Sequence, residues 1–364
     1  MANNQQIRQQ LCTIIATESI KNWDFTNPDH EALAGKEGML ESLWLLNTAT
    51  SENQEIDEAL KVTHARFINY RNTLRQVLVT LKKANIPVIC MRGLALEASY
   101  GEKIIARPQS DIDLLFNPSD SLMAKQTLGA LGFLPTKSYP NIFKRGTIYL
   151  DTHTEPLGIN RIQAWHHLTP LRAPDFFNYA KEGQLMGENA LLIEPRVMLP
   201  YLCFHALKHS FERLIWLYDI ALMCKRIEQD GQWGVVLAGI REYKLERPCF
   251  YALSYAKEHL GAPVSEDFIT QIKPNMGWLE RRLYHRHMQH KVIPFLAERI
   301  FSRMQPSFSH RIEFWRETIY PRLEIREQMA NGGCVKCSFI RTRLKQIARA
   351  IWAYTKETLS FVRS

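Results

Sequence analysis

Apolar residues recur at three- and four-residue spacings through the first 83 positions: Leu40, Leu43, Trp44 and Leu46, then Ile56, Leu60, Phe67, Leu74, Val77, Leu78 and Leu81. That period predicts amphipathic helices. It breaks at Ile86-Pro87, where Pro-Val-Ile-Cys-Met is too short an apolar run for a helix and ends at Gly93, so a buried strand is expected. A brief helix over residues 94–100 follows, then a loop through Gly101 and Arg107-Pro108. Asp111-Ile-Asp-Leu-Leu-Phe116 next alternates polar and apolar, as a half-buried strand does. Asn117-Pro118 stops it, and Ser119 or Asp120 can cap a helix that Gly132 ends. Residues 141–145 and 147–153 predict a hairpin turning at Gly146. Beyond residue 160 the helical period dominates, over 195–228, 232–243, 247–260, 276–301, 309–331 and 338–362.

The order strand, helix, strand, helix, hairpin between helical segments predicts an α+β protein with a small mixed β-sheet. The expected units are an N-terminal helical segment (1–83), a sheet-bearing core (84–160), a helical domain (161–331) and a basic amphipathic C-terminal helix (332–364). At 364 residues, 46% apolar and 23% charged, the chain can bury a core without disulfides or other staples. Seven irregularly spaced cysteines, five of them in apolar runs (Cys12, Cys90, Cys203, Cys224, Cys249), point to reduced thiols. The polar start from Met1 to Gln10 lacks the apolar region of a secretory signal, and no run of 18 apolar residues occurs, so the expected location is cytoplasmic.

The net charge of +9 suggests a nucleic-acid partner until its distribution is read. Residues 334–364 hold seven Lys or Arg against Glu357 alone, so +6 of the +9 lies in the tail and the body is nearly neutral. In that tail Ile340, Leu344, Ile347, Ile351 and Leu359 oppose Arg341, Lys345, Arg349 and Lys356. Such a helix docks on the protein, lies on an anionic membrane surface or meets RNA. Cys334-Val-Lys-Cys337 has no second half nearby, so a loop is favoured over zinc or redox chemistry.

Asp111 and Asp113 lie two apart on a predicted strand, so both carboxylates share one face while Ile112 and Leu114 turn inward. Like charges so close repel unless a cation neutralises them, and Mg²⁺ favours one or two carboxylates together with phosphate oxygens, so the pair predicts a metal seat. A solvent-facing strand edge is the alternative. Ser110 precedes the pair, Met91-Arg92-Gly93 forms a glycine turn upstream, and a later strand carries Asp151.

With these residues the chain resembles the polymerase-beta-like nucleotidyltransferases, whose pattern is a small residue after the first strand, then acidic-hydrophobic-acidic, then a third carboxylate on a later strand. Within them it resembles a family of little-characterised bacterial nucleotidyltransferases. The residues that carry the likeness are Arg92-Gly93, Arg107-Pro108, Asp111-Ile112-Asp113 and Asp151-Thr152-His153, with His205, His209, Trp216, Asp219, Tyr320-Pro321 and Arg326 farther on. Arg92 stands where that family usually has lysine, and Thr154 where an aromatic often follows the histidine. Arginine keeps the charge but not lysine's point-charge geometry.

The resemblance implies a nucleotidyltransferase core and transfer of a nucleoside monophosphate from a nucleoside triphosphate, ATP among them, to a hydroxyl acceptor. Mg²⁺ or Mn²⁺ would be held by Asp111, Asp113 and Asp151. Arg92, Gly93, Arg107 and Ser110 would serve the phosphates. His153 shares a strand face with Asp151, so it contacts the triphosphate or, the favoured reading, holds Asp151 in place, and Glu155 in the same alternation is an alternative third carboxylate. Substituting Asp113 by alanine is then expected to leave folding intact and abolish metal-dependent triphosphate binding. The acceptor is not legible: a small metabolite, sugar, antibiotic, protein side chain or RNA end suits the same chemistry. Rival readings are a nucleotide-binding regulatory protein of the same fold without turnover, and an RNA-modifying enzyme anchored by the basic tail.

His205 and His209 stand at i and i+4, but His-Ala-Leu-Lys-His lacks the glutamate of a zinc-protease helix. With Glu212, Trp216 and Asp219 they predict a polar stripe on one long helix, either a hydrogen-bond network or an acceptor pocket facing the carboxylates.

Overall fold

The computed structural model describes residues 4–326 except 22, 49–53, 138, 159–161, 292, 294 and 324. The predicted basic C-terminal helix and the Cys334/Cys337 pair therefore lie outside the described residues.

Four helices lead in, as the periodicity predicts: α1 (Asn4–Thr17), α2 (Pro28–Glu37), α3 (Leu40–Thr48) and α4 (Gln54–Lys83). Asn27 caps α2 by accepting from the Asp29 amide at 3.0 Å, and Gly38 closes it with φ +73°. The core then runs through β1 (Ile89–Cys90), α5 (Glu97–Tyr100), β2 (Ile112–Leu115), α6 (Ser121–Ala130), β3 (Leu134–Pro135), β4 (Ile142–Arg145) and β5 (Ile148–His153), with 3-10 turns flanking α5. Gly146, at φ +58°, makes the predicted turn between β4 and β5.

The helical reading beyond residue 160 misses one hairpin. After α7 (Ala173–Asn178), β6 (Ala180–Leu185) and β7 (Glu188–Ile193) pair antiparallel, and β7 joins the sheet parallel to β1. The sheet is mixed and seven-stranded, ordered β3-β4-β5-β2-β1-β7-β6, so the fold is α+β. β2 and β5 are its centre and run parallel, with Asp113 opposite Asp151.

The rest is helical: α8 (Pro195–Lys208), α9 (Leu214–Gln229), α10 (Trp233–Glu242), α11 (Glu246–Leu260), α12 (Glu266–Gln271), α13 (Trp278–Met288), α14 (Leu296–Met304) and α15 (Phe308–Ile319). The continuous helix expected over 195–228 is broken after Lys208, because Ser210 and Phe211 take left-handed φ values of +52° and +54°. One contiguous core runs from Ile7 in α1 to Phe314 in α15, and the five cysteines of the apolar runs are buried thiols within it. No helix among the described residues is long and apolar enough to cross a membrane.

Candidate active site

Residues paired directly across parallel strands project to the same face, and strands lie about 4.8 Å apart. The Asp113–Asp151 pairing therefore sets two carboxylates side by side although 38 residues separate them in sequence. His153, two positions on, shares that face. Its Nε2 lies 3.1 Å from Asp113 Oδ1 and 3.2 Å from Asp151 Oδ2. Asp113, Asp151 and His153 each bring a ligand atom to within 4.8 Å of the others, a donor set that could hold a metal ion.

β5 alternates buried and half-buried residues, but β2, predicted to be half-buried, does not. All four β2 residues are buried, and Asp113 is only 4% exposed, because α8 and Arg92 cover its face. Asp111 stands just before β2, half-buried, and accepts from the Ser110 hydroxyl at 2.8 Å. Burial raises the Asp111 pKa, and the charges of Asp113 and Asp151 add to the rise against Ser110 and Arg92. The crowding expected of the Asp-x-Asp pair is thus present and extends to Asp151.

Arg92 answers the charge of Asp113. Its Nε donates to Oδ2 at 3.0 Å, Nη2 to Oδ1, and Nη1 approaches the His205 imidazole at 2.6 Å. Burial alone would raise the Asp113 pKa, but Arg92 and His153 hold it well below the usual carboxylate range. Burial alone would lower that of His153, yet its bonds to Asp113 and Asp151 push it up to about 9. Burial and the Arg92 charge hold His205 well below the ordinary histidine value, so its ring is neutral and accepts from Arg92. Asp113→Ala would remove the carboxylate that Arg92 and His153 share, leaving His153 with Asp151 and Arg92 without its ion-pair partner, so a cost in stability is expected as well.

Arg107 also lines the cleft, but its guanidinium is committed: Nη2 donates to Asp219 Oδ2 at 2.8 Å and Nε to Oδ1 at 3.1 Å. The Tyr100 hydroxyl completes that buried knot. Asp219 is a brace for the Arg107–Ser110 loop and does not face the cleft. The same loop is pinned from α4, where Arg66 donates to the Gln109 carbonyl and Tyr70 to the Ser110 carbonyl at 2.9 Å. Gly93 lies on the cleft with φ +60°, and a Cβ there would fall 2.6 Å from Gln109 Oε1, so glycine is required.

The carboxylates open into a cleft of about 720 Å³ walled on the far side by α8, the 209–213 corner and the start of α9. The break between α8 and α9 splits the predicted stripe. His205, His209 and Trp216 line the cleft, whereas Glu212 and Asp219 do not. Three cationic side chains that the motif reading passed over, Arg66, Lys208 and Arg213, line it as well. Lys208 lies between the two histidines in sequence, a signal that was available, whereas nothing local marks Arg66 or Arg213.

Residues 42–261 match the sequence profile of a family described as uncharacterised nucleotidyltransferase, well over half of the chain. The chain belongs to that family. It is a nucleotidyltransferase, and the resemblance seen in the Arg92-Gly93, Asp-x-Asp and Asp-x-His motifs is borne out at that level. No curated protein matches this nucleotidyltransferase. Among solved structures it is similar to the antibiotic-resistance factor ANT(2'')-Ia, at 15% identity and a TM-score of 0.33 over 53% of this chain and 98% of that one. So low an overlap carries no argument about substrate.

Proposed function

We propose that this nucleotidyltransferase moves a nucleoside monophosphate from a nucleoside triphosphate to a hydroxyl acceptor, with Asp111, Asp113 and Asp151 seating a divalent cation such as Mg²⁺ or Mn²⁺. The observation that carries the reading is the parallel pairing of Asp113 with Asp151 at the floor of the cleft, with Asp111 near enough to feel both charges. The donors fit such an ion: carboxylate oxygens are hard ligands, and a cation relieves the repulsion from Asp113 and Asp151 that adds to burial in raising Asp111. When bound, the cation supplies charge neutralisation on the phosphate oxygens that become more negative.

The protein's own residues do the rest. Gly93 lets backbone approach the phosphates, and Arg66, Lys208 and Arg213 give the cleft positive charge for the triphosphate. Asp151 is the accessible carboxylate, its side chain 26% exposed against 6% for Asp113, and His153 steadies its Oδ2. It takes the proton of the acceptor hydroxyl as that oxygen bonds to the α-phosphorus. The bond from this phosphorus to the bridging oxygen breaks, and pyrophosphate leaves with the electron pair. Asp113 turns toward a cation only by giving up Arg92 or His153, and His205 gives Arg92 a second partner to stay with.

The test is incubation with each α-labelled nucleoside triphosphate, Mg²⁺ or Mn²⁺ and a cell extract, comparing wild type with Asp151→Asn. Wild type should label an acceptor only when metal is present, and the variant should lose at least about a hundredfold of that rate. Equal labelling by the variant would refute the assignment.

A further inference from the structure

One wall of the cleft is made of rings. Tyr201, His205 and His209 follow one another at four-residue intervals along α8, so their side chains stack up one helix face. Tyr201 and His205 are buried, His209 at the helix end is exposed, and Trp216 from the first turn of α9 is half-buried beside it. Ring centroids are 4.8 Å apart for His205–His209, 4.8 Å for His209–Trp216 and 5.5 Å for His205–Trp216. The His209 and Trp216 planes are inclined by 35° with centroids 4.8 Å apart, so the two rings overlap, Arg213 lies over the Trp216 ring at 5.8 Å, and exposed His209 presents this stacked pair to the cleft. Nothing in the phosphate chemistry needs such a surface.

The corner that carries it is held rigidly from a distant part of the chain. Buried Arg8 in α1 donates to the Phe211 carbonyl at 2.7 Å and pairs with Glu37 at 3.1 Å, while Glu37 Oε2 accepts from the Leu214 amide at 2.7 Å. The end of α8 and the start of α9 are thus fixed before any ligand arrives, which spares a ligand the cost of ordering them.

We infer that His209 and Trp216 form the platform on which the nucleobase of the donor triphosphate stacks. This rests on the function proposed above. The donor is the occupant because Arg92 touches both Asp113 and His205, so the ring wall begins at the phosphate end of the cleft. Lys208, Arg213 and Ile215 beside the platform carry no amide, and the amides of Gln109 and Asn141, which also line the cleft, are engaged, Gln109 donating to the Arg107 carbonyl and Asn141 accepting from Lys125. Stacking therefore reads ring area, and purine triphosphates bind more tightly than pyrimidine ones.

Equilibrium binding to the full chain tests this with three probes, each with Mg²⁺: α,β-methylene-ATP, α,β-methylene-CTP and inorganic tripolyphosphate. Trp216→Ala should weaken the ATP analogue by about 5- to 150-fold, the range of base–aromatic stacking, and the CTP analogue less, while tripolyphosphate affinity stays the same. Trp216→Phe, which keeps a ring, should stay within a few-fold of wild type. Unchanged binding of the ATP analogue in Trp216→Ala overturns the platform, as does an equal fall in tripolyphosphate binding, which would mean the ring only supports the site. Unchanged donor affinity with a raised KM for the labelled acceptor overturns it in favour of an acceptor subsite. Absence of tripolyphosphate binding in wild type is a different failure and sinks the proposed function itself.

Discussion

Replacing Asp113 by alanine probes the charge arrangement of the site without any substrate. The side chains of Asp113 and Arg92 are 6% and 19% exposed, so their pair is shielded from water and no large screening discount applies. Removing the carboxylate leaves the Arg92 guanidinium without its paired counter-charge in a buried pocket, while His153 keeps Asp151, and stranding that one cation costs about 3–5 kcal/mol. That is a substantial share of the roughly 5–15 kcal/mol that stabilises an ordinary domain. The double variant Asp113→Leu with Arg92→Met removes both charges and should recover most of the loss, because what is expensive is the stranded cation. Asp111→Ala serves as the internal control. Among the described residues its carboxylate bonds the Ser110 hydroxyl alone, and it is disfavoured in its charged form, so stability should move by no more than about 0.5 kcal/mol. Urea unfolding followed by circular dichroism at neutral pH measures all three. A loss under about 1 kcal/mol for Asp113→Ala, or a double variant no more stable than the single one, would refute the reasoning.

Three further outcomes concern the scaffold. Burial pushes the His287 imidazole down to about 3, whereas the unfolded chain takes up that proton near 6.5. Stability from this group is therefore complete above pH 6.5 and falls below it by about 1.4 kcal/mol per pH unit until pH 3 is approached. His287→Phe should flatten the decline between pH 6.5 and 5 by about 2 kcal/mol in urea midpoints, and an unaltered slope would count against the assignment. Gly239 in α10 packs so closely on α8 that an added Cβ would fall 2.1 Å from the Arg196 carbonyl oxygen, so Gly239→Ala should cost about 1–3 kcal/mol. Gly35→Ala, whose nearest neighbour would be 3.9 Å away inside α2, should instead stabilise by about 0.5 kcal/mol in the same assay.

Much of the fold was legible in local pattern. The helices of the first 83 residues, the strand at Asp111 and the hairpin at Gly146 each follow from a period or a turn residue that a few neighbouring positions display. The β6–β7 hairpin was not legible, because β6 is the sheet's edge and Lys181, Glu182 and Gln184 face water, leaving no apolar alternation to read. The break at Ser210 and Phe211 was equally hidden. Neither residue is a glycine or proline, and their left-handed backbone is maintained by Arg8 and Glu37 from the other end of the chain.

By itself the sequence determined that Asp113 lies on a strand with Asp111 just ahead of it, since that needs only the two-residue period of an extended chain, and its motifs sufficed to place the family. Only the tertiary structure decided that Asp151 stands opposite Asp113, that Arg92 is spent on Asp113 and Arg107 on Asp219, and that the polar stripe divides into a ring wall and a buried brace. The reason is the range of each cause. Periodicity is set by adjacent residues, whereas strand register and the pairing of buried charges depend on segments tens to a hundred residues apart meeting in space.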